Sequence, residues 1–180
     1  MNEIIATIDS DGSQLEQLNA DKIVFVLQKR DMGAVLRIRN ELALKKKMPI
    51  EVKTVDLSLK SFYNLLKKID GKLYLNAKDE TMNYLALSAA YLLGKEAAYF
   101  SEGKEITLPA SKPVSSMVST NELKLLQEIK NYGPIGVEEL SRLNGFTKAQ
   151  TEELCGSLAK LKLISLADKT KITELGDIIL

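Results

Sequence analysis

The run TNELKLLQEIKNYGPIGVEELSRLNGFTKAQTEELCGSLAK (Thr120 to Lys160), with its continuation LKLISLADKTKITELGDIIL (Leu161 to Leu180), decides how this chain is read. Thr120 to Tyr132 has helical length and is broken by Gly133-Pro134. A second short helix, Val137 to Leu143, ends at the turn Asn144-Gly145-Phe146. A third, Thr147 to Lys162, leads into two short β-type segments, Leu163–Leu166 and Lys171–Thr173, separated by Ala167-Asp168-Lys169-Thr170.

That order, helix, helix, turn, helix, hairpin, is the outline of a winged helix-turn-helix. In that motif the third helix suits a DNA major groove and the hairpin suits the backbone beside it. Leu154, Leu158 and Leu161 recur at helical spacing and are expected to face the core, with Cys155 beside them as a small hydrophobe. Tyr132, Ile135, Leu140, Leu143 and Phe146 are expected to complete that core. Thr147 suits the N-cap of the third helix. Thr147, Lys148, Gln150 and Thr151 are then the positions near base edges or phosphates, with Arg142, Lys169 and Lys171 as phosphate contacts. Glu152 and Glu153 lie one turn into the same helix. From Met117 onward there are eight basic and nine acidic residues, a net charge of −1, and non-specific DNA binding relies on basic surface. A winged helix used for protein contact therefore stands beside the DNA-reading one.

Upstream, apolar strands alternate with helical patterns. Ile4–Ile8, Lys22–Gln28 (KIVFVLQ), Glu51–Leu57 (EVKTVDL) and Lys72–Asn76 read as strands. Arg30–Lys47, Ser58–Ile69 and Asp79–Leu93 read as helices. The first of these is expected to turn Val35, Leu36, Ile38, Leu42 and Ala43/Leu44 to one side, and Pro49 closes it. Glu96–Ser101 and Glu105–Leu108 read as a hairpin turning at Glu102-Gly103-Lys104. Asp9 to Asp21 is too short for much helix. Strands alternating with helices give an α/β class with a parallel sheet, and continuously apolar strands fit a sheet covered on both faces. LPASKPVSSMVST (Leu108 to Thr120) has two prolines, small polar residues and no helical period, and reads as an extended linker. The expected organisation is a small Rossmann-like domain at 1–109, a linker at 110–119 and a winged helix-turn-helix domain at 120–180.

Composition narrows the chemistry. Hydrophobic residues make up 45% and charged residues 27%, enough for real cores. The chain has no histidine, which removes Ser-His-Asp and Cys-His arrangements and any His general base. One cysteine cannot form an internal disulfide, and MNEIIATIDSDG lacks the basic-then-apolar pattern of a secretory leader, so a cytoplasmic location is expected. No apolar run approaches the roughly 18 residues that span a bilayer. No metal site and no cofactor are expected; a zinc site would need one Cys plus carboxylates. The net charge of +1 does not advertise a nucleic-acid partner.

Ligands of open α/β sheets bind at the carboxyl ends of strands, near the topological switch point. Two loops qualify: Asp9-Ser10-Asp11-Gly12-Ser13, and Asn76-Ala77-Lys78-Asp79-Glu80-Thr81. Both also have a plain reading. The first is a turn, and Asp79 is an N-cap that, with Glu80, complements the helix dipole.

KLYLNAKDETMNYLALSAAYLLGKEAAYF (Lys72 to Phe100) is a strand, a polar loop, an Ala-rich helix and a strand. With the winged-helix outline after it, this arrangement resembles the CRISPR-associated Rossmann-fold (CARF) proteins of the archaeal transcription-regulator type. The resemblance covers the whole chain in architecture. It implies a homodimer whose paired loops hold a cyclic oligoadenylate. Carried over by position, it implies Asp9, Ser10, Ser13, Asn76 and Thr81 as ligand contacts, with Lys78 supplying positive charge. The chain departs from the family pattern. Asp79-Glu80 stand where the family has Gly-Gly, and Met82 stands where it has Lys after Thr. Glycines allow close approach to phosphate and Lys neutralises it, whereas two carboxylates repel an anion. Some family members carry a ribonuclease domain built around Arg and His, which a chain without histidine lacks.

The expected function is a dimeric, double-stranded-DNA-binding regulator, gated by a small nucleotide at the Rossmann-like domain and not an enzyme. The alternative is a non-catalytic adaptor that keeps the fold, has lost nucleotide sensing and uses the winged helix for protein contact. A third reading gathers Asp9, Asp11, Asp79 and Glu80 around a divalent metal, if their loops converge.

Overall fold

The computed structural model describes residues 2–180. The chain divides into two compact units, Met1–Pro113 and Val114–Leu180.

The first unit holds a six-stranded sheet, built from β1 (Glu3–Thr7), β2 (Lys22–Leu27), β3 (Ile50–Thr54), β4 (Lys72–Leu75), β5 (Ala97–Ser101) and β6 (Lys104–Leu108) in the order β3-β2-β1-β4-β5-β6. The first five are parallel and β6 is antiparallel. This is the doubly wound, Rossmann-like order. Burial follows position in the sheet. Central β1 and β2 are buried beyond their first residues, β3 at one edge is mostly exposed or half-buried, and β6 at the other edge is almost wholly exposed. Glu102 and Gly103, at φ 51° and 75°, make the two-residue β5–β6 turn, whose left-handed backbone matches the twist of the strands.

Three helices cover the sheet: α1 (Met32–Lys46), α2 (Leu59–Leu66) and α3 (Glu80–Leu93). Ser58 Oγ caps α2 by accepting from the Ser61 N–H, and Asp79 Oδ1 caps α3 by accepting from the Met82 N–H. Gly94, at φ 68°, closes α3 in the left-handed conformation. The β1–β2 connection holds only one 3-10 turn, Ser13–Gln17, with Leu15 buried. On α1 the buried stripe is Val35 and Leu42, with Ile38 half-buried between them. Leu36 and Leu44, expected on that side, lie on the neighbouring stripe and are exposed, Leu44 at 80%. The helix ends before Pro49, at Lys47, which itself turns left-handed at φ 53°.

The second unit comprises α4 (Thr120–Tyr132), α5 (Val137–Asn144), α6 (Lys148–Lys160), the antiparallel pair β7 (Ile164–Ser165) and β8 (Lys171–Ile172), and α7 (Glu174–Ile179). An isolated bridge from Ile135 to Thr170 ties the α4–α5 connection to the hairpin. The stretch read as extended linker contains a 3-10 turn, Val114–Met117. Leu125, Leu126, Ile129, Leu140, Cys155 and Leu158 form the centre of the core. Tyr132 and Leu143, expected inside, are exposed: Tyr132 ends α4 beyond its last buried residue, Ile129, and Leu143 lies off the buried face of α5, which is Leu140, Ser141 and Asn144. Leu154 and Leu161 are only half-buried. The buried face of α6 is Thr151, Cys155 and Leu158, at i, i+4 and i+7, rotated from the leucine stripe.

Candidate ligand crevice and nucleic-acid interface

β1 and β4 lie side by side, and the sheet grows in opposite directions from them, so the switch point lies at their carboxyl ends. Loops 8–13 and 76–79 meet there. Thr7, fully buried at the end of β1, donates from Oγ1 to Asn83 Oδ1 (2.6 Å) and accepts from the Asn76 N–H (2.9 Å). Asn83 donates its amide to the Ala77 carbonyl (2.6 Å), and Asn76 donates its own to the Asp11 carbonyl (2.7 Å). The Asp11 carboxylate accepts the Ser13 N–H (2.9 Å), and this bond, joined by one from the Ser13 hydroxyl, holds it below the usual carboxylate range. Asp9 accepts the Ser10 hydroxyl and the Asp79 N–H, each at 2.9 Å. Asp79, besides capping α3, accepts from Gln28 Nε2 and the Arg30 guanidinium, each at 3.1 Å.

The expected ligand residues are therefore distributed unequally. Asn76 and Lys78 line a cavity of about 410 Å³ together with Asp11, Gln14, Asn83, Tyr99 and Phe100. Ser10 and Ser13 open onto a separate hollow of about 190 Å³, shared with Glu16 and Glu41, whose carboxylates disfavour an anion. Asp9 is committed to holding the loops, and Thr81 is exposed on the first turn of α3 outside both hollows. Among the described residues no group of three or more Cys, Asp or Glu is placed to hold a metal, although the loops of Asp9 and Asp79 do converge. Asp9 faces the Asp79 amide and the Asp79 carboxylate faces Arg30, so the two carboxylates share no centre.

Sequence reading missed Gln28, Arg30, Gln14, Asn83, Tyr99 and Phe100. The adjacent aromatics Tyr99-Phe100, near the end of a strand beside the switch point, carried a usable signal. Phe100 stacks on Tyr74 at 6.0 Å between ring centroids. Asn83 sits inside a helix and carried none.

In the second unit, Gly145 at φ 69° ends α5, and Thr147 opens α6 with a capping box. Thr147 Oγ1 accepts the Gln150 N–H (3.3 Å), and Gln150 Oε1 accepts the Thr147 N–H (3.0 Å). Both side chains are exposed but occupied by the cap. Thr151, expected at the surface, is 0% exposed and donates its hydroxyl to the Thr147 carbonyl (3.0 Å). It belongs to the core face and is withdrawn from the contact set. Lys148 is exposed and pairs with Glu138 at 2.8 Å; that bond raises the Lys148 pKa and lowers the Glu138 pKa. Arg142, Lys169 and Lys171 are exposed. Cys155 is buried, and burial pushes its thiol pKa up, which disfavours the reactive thiolate. Among the described residues no helix is long and apolar enough to cross a membrane.

No family model and no curated protein matches the chain. Solved structures do. The structure of RV1404 from Mycobacterium tuberculosis is 22% identical over 37% of this chain and 50% of its own, at a TM-score of 0.34. VC1899 from Vibrio cholerae is 9% identical over 98% of this chain and 63% of its own, at 0.46. Can2 from Sulfobacillus thermosulfidooxidans, solved in complex with cyclic tetra-adenylate, is 13% identical over 98% of this chain and 62% of its own, at 0.47. The chain thus spans between half and just under two thirds of the length of these structures.

Proposed function

We propose that the chain is a non-catalytic, homodimeric transcription regulator. Its Rossmann-like domain (1–109) takes a small nucleotide, and a winged helix-turn-helix (120–180), reached through a linker (110–119), binds double-stranded DNA. The observation that carries the DNA reading is the run α5, tight turn, α6, hairpin, with Lys148 exposed on the first turn of α6 and Lys169 and Lys171 exposed on or beside β8. This order fits a helix in the major groove and a wing on the backbone. Arg142 adds a phosphate contact. Thr147 and Gln150 reach DNA only by sharing their capping bonds.

The ligand reading is supported by the cavity of about 410 Å³ at the switch point. Tyr99 and Phe100 offer aromatic surface for a base and Lys78 offers a cation beside the Asp11 carboxylate, while Asn76 and Asn83 reach a ligand only by sharing their structural hydrogen bonds. The resemblance of Lys72–Phe100 to CARF proteins implies a cyclic oligoadenylate-like nucleotide. Ser10, Ser13 and Thr81 contribute only if the ligand extends beyond this cavity. A homodimer is supported by α3, which exposes Tyr84 and Tyr91, seven residues apart on one face, at 69% and 61%. Coupling between ligand and DNA sites would make the chain a switch. Its place of action would be the cytoplasm.

The adaptor reading keeps one specific support: Lys148 is already paired with Glu138, and Glu152 and Glu153 are exposed on α6. Titration of the dimer against duplexes from the gene's own upstream region, at two salt concentrations, separates the readings. A regulator binds with a steep salt slope and loses affinity when Lys148, Lys169 and Lys171 are replaced by Ala. Indifference to every duplex at low salt leaves the adaptor.

A further inference from the structure

The segment that leaves the first unit is seated on the end of α3. Ser111 Oγ donates to the Tyr91 carbonyl at 2.6 Å, and the same carbonyl accepts the Gly94 N–H at 3.1 Å. A Cβ at Gly94 would lie 2.7 Å from Pro113 Cδ and 2.7 Å from the Ser111 carbonyl oxygen, so only glycine lets the segment lie this close. Ser111 and Pro113 are half-buried, while Pro109, Ala110 and Lys112 are exposed. The next residue, Val114, packs on the core of the second unit. The chain therefore passes from a residue held by one unit to a residue held by the other with no free residue between them.

The other end of the same helix is a wall of the crevice. Asn83 lines the cavity, and its side chain is bonded to the end of β1 and to the loop after β4. Between the two ends, the buried face of α3 is Met82, Ala86, Ala89 and Ala90. Three alanines bring no long side chains to interlock with the neighbouring layers, so a small shift of the helix meets little steric resistance. Helix shifts of about 1–2 Å recur in allosteric transitions. We propose that α3 is the transmission element of the chain: a ligand that draws on Asn83 displaces the helix, and the segment seated on Tyr91 and Gly94 carries that displacement to the second unit. This names the regulation of the same site, and it rests on the nucleotide- and DNA-binding reading.

Ser111→Ala and Pro113→Ala, made together in the full chain, remove the hydroxyl and the ring that rest on α3. Neither residue lines the crevice, and the Tyr91 carbonyl keeps its bond from the Gly94 N–H, so α3 is retained, which circular dichroism checks. The double variant is expected to bind cyclic tetra-adenylate alone, and a duplex from the gene's own upstream region alone, as wild type does. The shift in duplex Kd on adding the nucleotide, at least about fivefold in wild type, should be lost. Hydrogen exchange reads the same step without DNA. The nucleotide should change protection in α3 and at residues 110–114 of wild type, and in α3 only in the double variant. If both ligands bind and the shift persists in the double variant, transmission through this seat is overturned while the regulator reading stands. If the nucleotide binds and protection changes stop at the crevice loops, transmission is overturned whether or not DNA binds. A wild-type chain that binds no nucleotide, or that binds both ligands without any shift, overturns the transmission together with the gating it rests on.

Discussion

Thr7 and Asn83, separated by 76 positions in the chain, share a 2.6 Å hydrogen bond that joins the end of β1 to the first turns of α3. The same hydroxyl accepts the Asn76 N–H, so one buried oxygen fixes the strand, the loop and the helix that frame the crevice. Thr7→Val keeps the shape and removes both bonds, leaving the Asn76 amide unpaired and the Asn83 side-chain oxygen with only the longer bond from the Ala77 N–H (3.3 Å). Each unpaired buried group costs about 1–3 kcal/mol. Urea unfolding should show a loss of about 2–4 kcal/mol for Thr7→Val and roughly half of it or less for Thr7→Ser. Equal losses would mean that packing, not the hydroxyl, matters here.

Lys72 ties β4 to β6 and to Glu96, the residue just before β5. Its ammonium lies 2.7 Å from Glu105, 2.8 Å from Glu96 and 2.9 Å from Thr107 Oγ1, and 5.5 Å from the Tyr74 ring centroid. Burial alone would lower the Lys72 pKa, but its bonds to Glu105 and Glu96 outweigh that and raise it. Bonding to Lys72, then to Tyr74, holds Glu105 below its ordinary value. Burial, with the bond to Glu105, pushes Tyr74 up to about 12. The Glu105 contribution is therefore present above the ordinary carboxylate pKa and lost as pH falls through its lowered one. The Lys72 contribution is present below the ordinary lysine pKa and lost as pH rises through its raised one. Lys72→Met should cost about 1–2 kcal/mol at neutral pH, since it also leaves two carboxylates facing each other. The cost should shrink in acid, as followed by thermal melts across pH.

Glu122 closes a capping box at the start of α4, accepting the Ser119 N–H at 2.7 Å while the Ser119 hydroxyl accepts its own N–H. Burial alone would raise its pKa, but the bonds from Ser157 and Ser119 outweigh that and lower it. The side chain is thus held as a buried, satisfied carboxylate. Glu122→Ala should cost the second unit about 1–3 kcal/mol, Glu122→Gln less because it keeps the box. The carboxylate's contribution should fade as pH drops through its lowered pKa. Hydrogen exchange of α4 amides reads the effect locally.

Tyr84 and Tyr91 provide the test of the dimer. Replacing both with Asp should yield a monomer by light scattering, with helix content unchanged, because both side chains are exposed. A dimer that survives the change does not use this face of α3.

Periodicity and cap chemistry made much of this fold legible. Asp79, Gly94, Thr147 and Gly145 mark helix ends through local backbone needs that a short window of sequence contains. Facing was legible only in part. The leucines of α6 suggested one stripe, while Thr151 and Cys155 turned out to carry the buried one, because a threonine whose hydroxyl bonds back to the preceding turn packs as an apolar residue. Leu44 and Tyr132 were indistinguishable in sequence from core residues, since period does not say whether another layer lies opposite. The crevice was legible as two loops but not as a network. The Asp9–Asp79 and Gln28–Asp79 bonds join residues 70 and 51 positions apart, and no local spacing encodes which polar group meets which.

In the proposed reading, nucleotide occupancy changes affinity for DNA. Fluorescence anisotropy of the full chain on a duplex from its own upstream region, at low and moderate salt, with and without saturating cyclic tetra-adenylate, tests this coupling. Salt-sensitive binding is expected, with a Kd that shifts by about 5- to 150-fold with the nucleotide, the range of ordinary allosteric coupling. An unchanged Kd, with the nucleotide shown independently to be bound, would contradict it.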